Sequence, residues 1–357
     1  MKIALLNLPI DINYGGNIQR YALITVLRKL GHDVEHLQLI KHRSFRLPLY
    51  KKYMVYLKRI LFIIFGTKTK SLFYEKKLKQ GYDNFMYFYN KYIPHTEMTF
   101  SDYSDFLNYD WNKYNAIIVG SDQVWRPDMT KSIGIEAYFL SFIKEVKIRR
   151  IAYAVSFGKC NALFDNILEI KDLYNKFDAV SVREKDGEVI LKNSGLLIPK
   201  PVLVLDPTLL LSRDDYVMLL NEEKISLPLN NKYLLTYFIN DNLYDKSIVK
   251  MISDKRNLNV IDMTMYSAHK ISIPEWIKYF MYADYVVTDS YHGFVFSLLF
   301  NKPVKVVNNL HGGLSRFKSL MEILEIKDID NVDWENVNKL LSYYRNLSLD
   351  FLNKALS

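Results

Sequence analysis

The amino-acid sequence predicts an α/β protein: two doubly wound domains, each built on a parallel sheet, facing each other across a cleft. Short β-rich runs alternate with amphipathic helices along the whole length, the pattern that strand–helix–strand units impose. At 357 residues with 49% hydrophobic side chains, the chain exceeds one small core and can fill two. The alternation is interrupted by the polar segment Asn221-Glu222-Glu223-Lys224-Ile225-Ser226-Leu227-Pro228-Leu229-Asn230-Asn231 and then restarts. The expected domains are therefore 1–222 and 232–333, followed by a last helix in 334–357. No internal repeat and no low-complexity tract is visible.

The first expected strand, 2–8, is the apolar run Lys2-Ile3-Ala4-Leu5-Leu6-Asn7-Leu8, with no basic-then-apolar leader before it. It leads into Asn13-Tyr14-Gly15-Gly16-Asn17-Ile18-Gln19-Arg20, which opens a helix over 17–30. Glycines there let backbone amides approach a ligand, and the helix N-terminus adds partial positive charge suited to phosphate or carboxylate. The loop lacks the third glycine of the dinucleotide fingerprint and the GK[ST] ending of a P-loop, so neither NAD nor ATP binding follows. A tight strand-to-helix turn explains it at least as well. A second strand is expected at 33–39.

The net charge of +9 is concentrated in an insertion near 45–95. Between 41 and 80 the chain carries Lys41, Arg43, Arg46, Lys51, Lys52, Lys58, Arg59, Lys68, Lys70, Lys76, Lys77 and Lys79 against the single acid Glu75. Tyr53 to Leu57 and Ile60 to Phe65 interleave bulky apolar and aromatic side chains with that charge. A helix of this kind suits the headgroup region of an anionic membrane, each lysine adding on the order of 1 kcal/mol near the surface. The alternative is an insertion whose apolar side packs on its own domain. No apolar run reaches the roughly 20 residues needed to span a bilayer. No recognised nucleic-acid module accompanies the charge, and no nucleic-acid partner is expected. The lone Cys160 excludes an internal disulfide and suits a reducing cytoplasm. The expected location is the cytoplasm, at the inner face of the cell membrane.

Beyond a helix at 72–92, further strands are expected at 115–119, 149–155, 178–182 and 202–205, with helices at 164–175 and 184–193. Three of these strands end in polar clusters: Gly120-Ser121-Asp122-Gln123-Val124-Trp125-Arg126, Ser156-Phe157-Gly158-Lys159 and Arg183-Glu184-Lys185-Asp186. Small residues leave room at a cleft, and Arg126, Lys159 and Arg183 bring cations to it. One such cluster is commonly a helix cap, but several in one sheet are harder to explain by capping alone.

The second half repeats the scheme, with strands at 232–238, 258–262, 284–288 and 303–307. Its helices are expected at 242–256, 274–282, 292–300, 315–325 and 334–354. Its most informative run is Tyr285-Val286-Val287-Thr288-Asp289-Ser290-Tyr291-His292-Gly293, an apolar strand that ends in polar residues and a histidine just before an apolar helix. That order puts His292 and free backbone N–H groups at the carboxyl edge of a parallel sheet, where open α/β folds bind ligands. A buried structural histidine would not need such surroundings. The other histidines show no metal-ligand spacing, and no metal is expected.

Together these residues resemble the polysaccharide pyruvyl transferase family. The resemblance runs through Asn13-Tyr14-Gly15-Gly16-Asn17, Gly120 to Trp125, Tyr153 to Gly158, Ser181-Val182-Arg183-Glu184, Leu205-Asp206-Pro207-Thr208-Leu209-Leu210 and Thr288 to Gly293. It covers most of the chain and least of the insertion. It implies two Rossmann-like domains in a GT-B-like arrangement, with the last helix crossing back to the first domain. It further implies transfer of a pyruvate unit from phosphoenolpyruvate, the donor substrate, onto two hydroxyls of a sugar, giving a cyclic ketal and phosphate.

That chemistry needs cations and amides for the donor and a proton carrier near neutral pH. His292 takes the catalytic histidine position of the resemblance, with Asp289 to orient it, to accept a hydroxyl proton or simply to cap the helix. Arg183, Arg316, Lys159, Ser290 and Gly293 are the expected donor-binding residues. Some members of the family carry an arginine two residues before the histidine, where this chain has Ser290; Arg316 is the cation nominated to replace it. Asn13, Tyr14, Gly15, Gly16, Asn17, Ser121, Asp122, Gln123 and Trp125 are expected around the acceptor, a lipid-linked or polymeric surface saccharide with galactose as one target. Beyond the donor substrate, no cofactor is expected. Two other readings remain: a nucleotide-sugar-dependent GT-B glycosyltransferase, and a non-catalytic scaffold of polysaccharide assembly.

Overall fold

A computed structural model describes residues 1–40, 49–64, 74–144, 146–158, 164, 166–225, 232–240, 246–263, 271–307 and 314–357. Two all-parallel sheets organise them. The first has the order β3-β2-β1-β4-β5-β6-β7, from β1 (Lys2–Leu6), β2 (Asp33–Leu39), β3 (His95–Phe100), β4 (Ala116–Asp122), β5 (Arg149–Val155), β6 (Ala179–Val182) and β7 (Val202–Leu203). The second has the order β11-β10-β8-β9, from β8 (Tyr233–Tyr237), β9 (Asn259–Asp262), β10 (Tyr285–Thr288) and β11 (Val304–Val306). Both are Rossmann-like, and the arrangement is the GT-B-like one that the resemblance implies.

After Lys2, strand β1 is apolar because it is buried on both faces. Ile3 and Leu5 join one core while Ala4 and Leu6 join the other. Helices α1 (Tyr14–Lys29), α2 (Leu49–Ile64), α3 (Tyr74–Tyr92), α4 (Tyr103–Leu107), α5 (Ile167–Tyr174), α6 (Lys185–Asn193) and α7 (Arg213–Glu222) belong to the first half of the chain. The second half holds α8 (Lys246–Arg256), α9 (Ile273–Tyr282), α10 (Tyr291–Leu299), α11 (Leu314–Ile323) and α12 (Trp334–Leu356).

Chain order reverses between β1 and β4 in the first sheet and between β8 and β10 in the second. Those two switch points open a crevice at the carboxyl edge, where such folds take their ligands. The halves meet there through an apolar core. Tyr14 stacks on Trp276 with ring centroids 5.4 Å apart and donates its hydroxyl to the Ile271 carbonyl at 3.0 Å. The α12 helix returns to the first sheet: the Leu205 amide donates to Ser348 Oγ at 2.9 Å, Arg345 Nε to the Leu209 carbonyl at 2.9 Å, and Phe351 meets Tyr153.

Four elements differ from the sequence expectation, the short helix α4 among them, which was not expected. Strand β3 was not expected; it is a half-buried edge strand whose alternation Thr96-in, Glu97-out is short and polar. Helix α7 was also unexpected, although Ser212 and Asp215 form a capping box at its start. Helix α1 begins at Tyr14, so Gly15 and Gly16 lie in its first turn and not in a preceding loop.

Candidate functional site

The site is assembled from three strand ends of the first sheet and, from the second, the end of β10 with the N-terminus of α10 that follows it. β4 ends at Asp122, which takes a left-handed φ of 67° that aspartate tolerates better than most side chains. β6 runs into Arg183, β7 into Asp206, and β10 into Asp289 and Ser290. Ser290 is the N-cap of α10, its hydroxyl accepting the Gly293 amide at 3.3 Å, and this sets His292 in the helix's first turn.

Arg183 is the buried hub. Its guanidinium donates to Asp206 Oδ2 at 2.7 Å and to Asp122 Oδ1 at 3.0 Å, and its Nε lies 3.5 Å from Glu184 Oε2. Burial is the strongest single influence on the Asp206 carboxyl and would raise it, but the opposing attractions, led by Arg183 and joined by the hydrogen bonds from Thr208, together hold that group below the usual carboxylate range. The same balance lowers Asp122. Arg183 is thus committed to carboxylates and sets their positions, a different task from the free donor clamp expected from the sequence.

His292 faces this network across the domain junction. Its Nε2 lies 3.9 Å from Asp206 Oδ2, too far for a hydrogen bond. Its ring rests on Gly15: a Cβ there would come within 2.0 Å of His292 Nδ1, so only glycine lets α1 and α10 approach this closely. Burial first, and then the positive charges of Arg183 and Arg316, pull the imidazole pKa down to about 4 against the opposing pull of Asp206 and Asp122. His292 is therefore neutral at pH 7 in this state.

Arg316 stands on the same junction. Its guanidinium carbon is 5.2 Å from the Tyr291 ring centroid, and that of Arg183 is 5.1 Å from it, so one buried tyrosine supports both cations. Unlike Arg183, Arg316 has no carboxylate within ion-pair distance among the described residues. Buried polar side-chain atoms lacking a hydrogen-bond partner gather here: Gln19 Oε1, Arg183 Nε, Glu184 Oε2, His292 Nε2 and Arg316 Nε. Native interiors avoid such atoms unless a ligand or water completes them.

Beside this cluster, at the β1/β4 switch point, lies a cavity of ≈ 430 Å³ bordered by Asn7, Asn13, Asn17, Arg20, Ser121 and Asp122. Gln19 borders it as well and donates its amide to both Ser121 Oγ, at 3.2 Å, and Asp206. The cavity and the arginine–histidine cluster therefore share Asp122 and Gln19. A larger hollow of ≈ 840 Å³ beside Leu324 and Val337 contains none of these residues.

The expected residues divide accordingly. His292, Ser290, Gly293, Arg183, Arg316, Gly15 and Asp122 converge on the junction. Asn13, Gly16, Asn17 and Ser121 line the cavity. Asp289 does not orient His292: its two oxygens accept the Ile239 and Asn240 amides at 2.6 and 3.0 Å. Trp125 offers no sugar platform, being fully buried, stacked on Phe139 and bonded to the Tyr138 carbonyl. Tyr14 is likewise consumed by the domain interface. Gln123 accepts from Arg126, which also pairs with Asp128. Lys159 lies outside the described residues.

Residues given no role from the sequence are central: Asp206, Gln19, Glu184 and Arg20. Asp206 stands in the run Leu205-Asp206-Pro207-Thr208 and reads as a cap, which it also is, accepting the Thr208 amide at 3.0 Å. Its partnership with Arg183 spans distant sequence and leaves no local signal.

Among solved structures, the chain is similar to the UDP-GlcNAc 2-epimerase of Methanocaldococcus jannaschii, with a TM-score of 0.47 and 11% identity over 96% of this chain and 92% of that one. The UDP-N-acetylglucosamine 2-epimerase of Rickettsia bellii gives 0.46 and 11% over 100% and 97%, and the UDP-GlcNAc-bound 2-epimerase of Neisseria meningitidis 0.46 and 11% over 98% and 94%. No curated protein matches the sequence significantly. Residues 13–311, from the cap of α1 to beyond β11, match the family described as polysaccharide pyruvyl transferase. With that match spanning most of its length, and the motifs that carry the resemblance gathered at one domain junction, this chain belongs to the polysaccharide pyruvyl transferase family.

Proposed function

We propose that this protein transfers a pyruvate unit from phosphoenolpyruvate onto two hydroxyls of a sugar in a lipid-linked or polymeric surface polysaccharide, forming a cyclic ketal and releasing phosphate. The 4- and 6-hydroxyls of galactose are the expected target, presented at the inner face of the cell membrane. The supporting observation is the convergence of Arg316, neutral His292 and orphaned buried polar atoms beside the cavity at the β1/β4 switch point.

In this reading Arg316 and the α10 N-terminus hold the donor's anionic groups, and the acceptor occupies the cavity against Asn13, Asn17 and Ser121. The donor's negative charge raises the proton affinity of His292, so donor binding loads it with a proton. That proton passes to the methylene carbon, leaving an oxocarbenium-like centre at C2. The first sugar hydroxyl attacks C2 and returns its proton to His292. The C2–O(phosphate) bond then breaks as His292 gives that proton to the leaving phosphate. The second hydroxyl closes the ketal and restores the protonated imidazole. Asp206 and Asp122, fixed by Arg183, stabilise the positive charge that develops.

Replacement of Arg316 by Gln tests the donor assignment. It is expected to raise KM for phosphoenolpyruvate by about 10- to 100-fold, the worth of a lost charge-assisted contact. An unchanged KM in a folded variant would remove Arg316 from the donor site.

A further inference from the structure

We propose that α2 is an interfacial helix that docks this protein on an anionic lipid surface. Tyr53, Met54, Leu57, Ile60, Leu61 and Ile64 are exposed by 67%, 65%, 41%, 41%, 51% and 69%. At about 100° per residue, these side chains fall within an arc of roughly 120°, one continuous apolar stripe along the helix. Val55 and Tyr56, outside the arc, are half-buried. No other helix among the described residues carries more than two large exposed apolar side chains, which is ordinary for a protein surface. The α2 stripe is the exception and calls for a cover.

Charge identifies that cover. The four basic residues of α2, Lys51, Lys52, Lys58 and Arg59, fall outside the apolar arc by the same helical spacing, and the helix contains no acid. Cations bordering an apolar face are complementary to anionic headgroups over hydrocarbon. They are a poor match for a second copy of the chain, which would bring two equally basic segments together. Lysine is also depleted from the cores of protein–protein interfaces. Among the described residues no helix is long and apolar enough to cross a membrane, so α2 lies along the surface.

Topology connects the helix to the site. The chain departs for α2 from the carboxyl end of β2, where the Leu39 carbonyl accepts the Ile10 amide at 2.9 Å and Ile40 bridges Ile10. Ile10 lies between Pro9 and Asp11, which border the ≈ 430 Å³ cavity. The docking helix and the cavity thus originate from the same sheet edge.

The inference stands apart from the pyruvyl-transfer reading, and its test reads binding without turnover, so either can fail alone. Full-length protein is sedimented with vesicles of phosphatidylcholine and with vesicles that also contain phosphatidylglycerol. Binding is expected to be at least about tenfold stronger to the anionic vesicles, to weaken with salt, and to fall about tenfold in Leu57→Glu/Leu61→Glu. A Leu57→Trp variant, which keeps the stripe apolar, is expected to shift its emission to the blue on anionic vesicles. Absence of binding to anionic vesicles, or equal binding by the double glutamate variant, would overturn the proposal. Self-association that this variant abolishes, without vesicle binding, would assign the stripe to a second copy instead.

Discussion

A histidine that titrates near 6.5 when free is held at about 4 in this junction, and that difference has consequences at the level of single residues. The folded protein binds this proton less readily than the unfolded chain. Stability is therefore expected to fall as pH drops from about 6.5 towards 4, by on the order of 3 kcal/mol in total from this group. Chemical denaturation of the wild type and of His292→Gln at pH 7 and pH 4.5 checks this: the variant should lose distinctly less across that window. Equal losses would mean that His292 is not depressed. Arg183 invites a different test because its side chain is fully buried against Asp206 and Asp122. Arg183→Ala leaves two carboxylates without their cation and should destabilise the fold by about 3–5 kcal/mol. Thermal melting that shows no loss would contradict the hub role. His292 and Arg183 were legible in the sequence because each closes a strand end with polar neighbours. Asp206 was not, since its partner Arg183 follows β6 and only the sheet order brings the two together.

At the scale of elements, the decisive contact joins the first turns of α1 and α10. Gly15→Ala would put a methyl where the His292 ring now lies. It should lower the rate of turnover by at least about tenfold, since displacement of a catalytic group by about 1 Å can cost 100-fold. A loss of stability of about 1–3 kcal/mol is expected as well, because the methyl overpacks a buried contact between two helices. Comparable turnover in Gly15→Ala and the wild type would show that His292 need not rest on α1. Ser290→Ala removes the α10 cap and should cost about 1 kcal/mol, a smaller and purely local effect. Element positions were readable where the apolar pattern was strong, as in β1, β4 and β5, whose double burial makes them nearly continuous hydrophobic runs. The edge strand β3 escaped because its exposed side lacks apolar residues. Helix α7 escaped despite its capping box, because it is short and turns only Tyr216, Leu219 and Leu220 into the core, a weak apolar stripe. Trp125 and Tyr14 illustrate the opposite error: both were expected around the acceptor because they stand inside motifs, yet both fill cores.

For the whole molecule, two parallel sheets place their switch points against one another, and the candidate residues that converge belong to that shared edge. The first half supplies the carboxylates and the cavity; the second supplies the histidine and Arg316, which has no carboxylate within ion-pair distance among the described residues. Neither half holds a complete site. The reaction proposed for this divided site is tested most directly by phosphate release from phosphoenolpyruvate. The full-length protein is assayed with and without a lipid-linked galactosyl acceptor, beside His292→Gln. The expected result is acceptor-dependent release, a product heavier by one ketal-linked pyruvate, and loss of both in the variant. No release with any acceptor, together with tight binding of a nucleoside diphosphate, would contradict the pyruvyl-transfer reading and turn the same cleft to nucleotide-sugar chemistry.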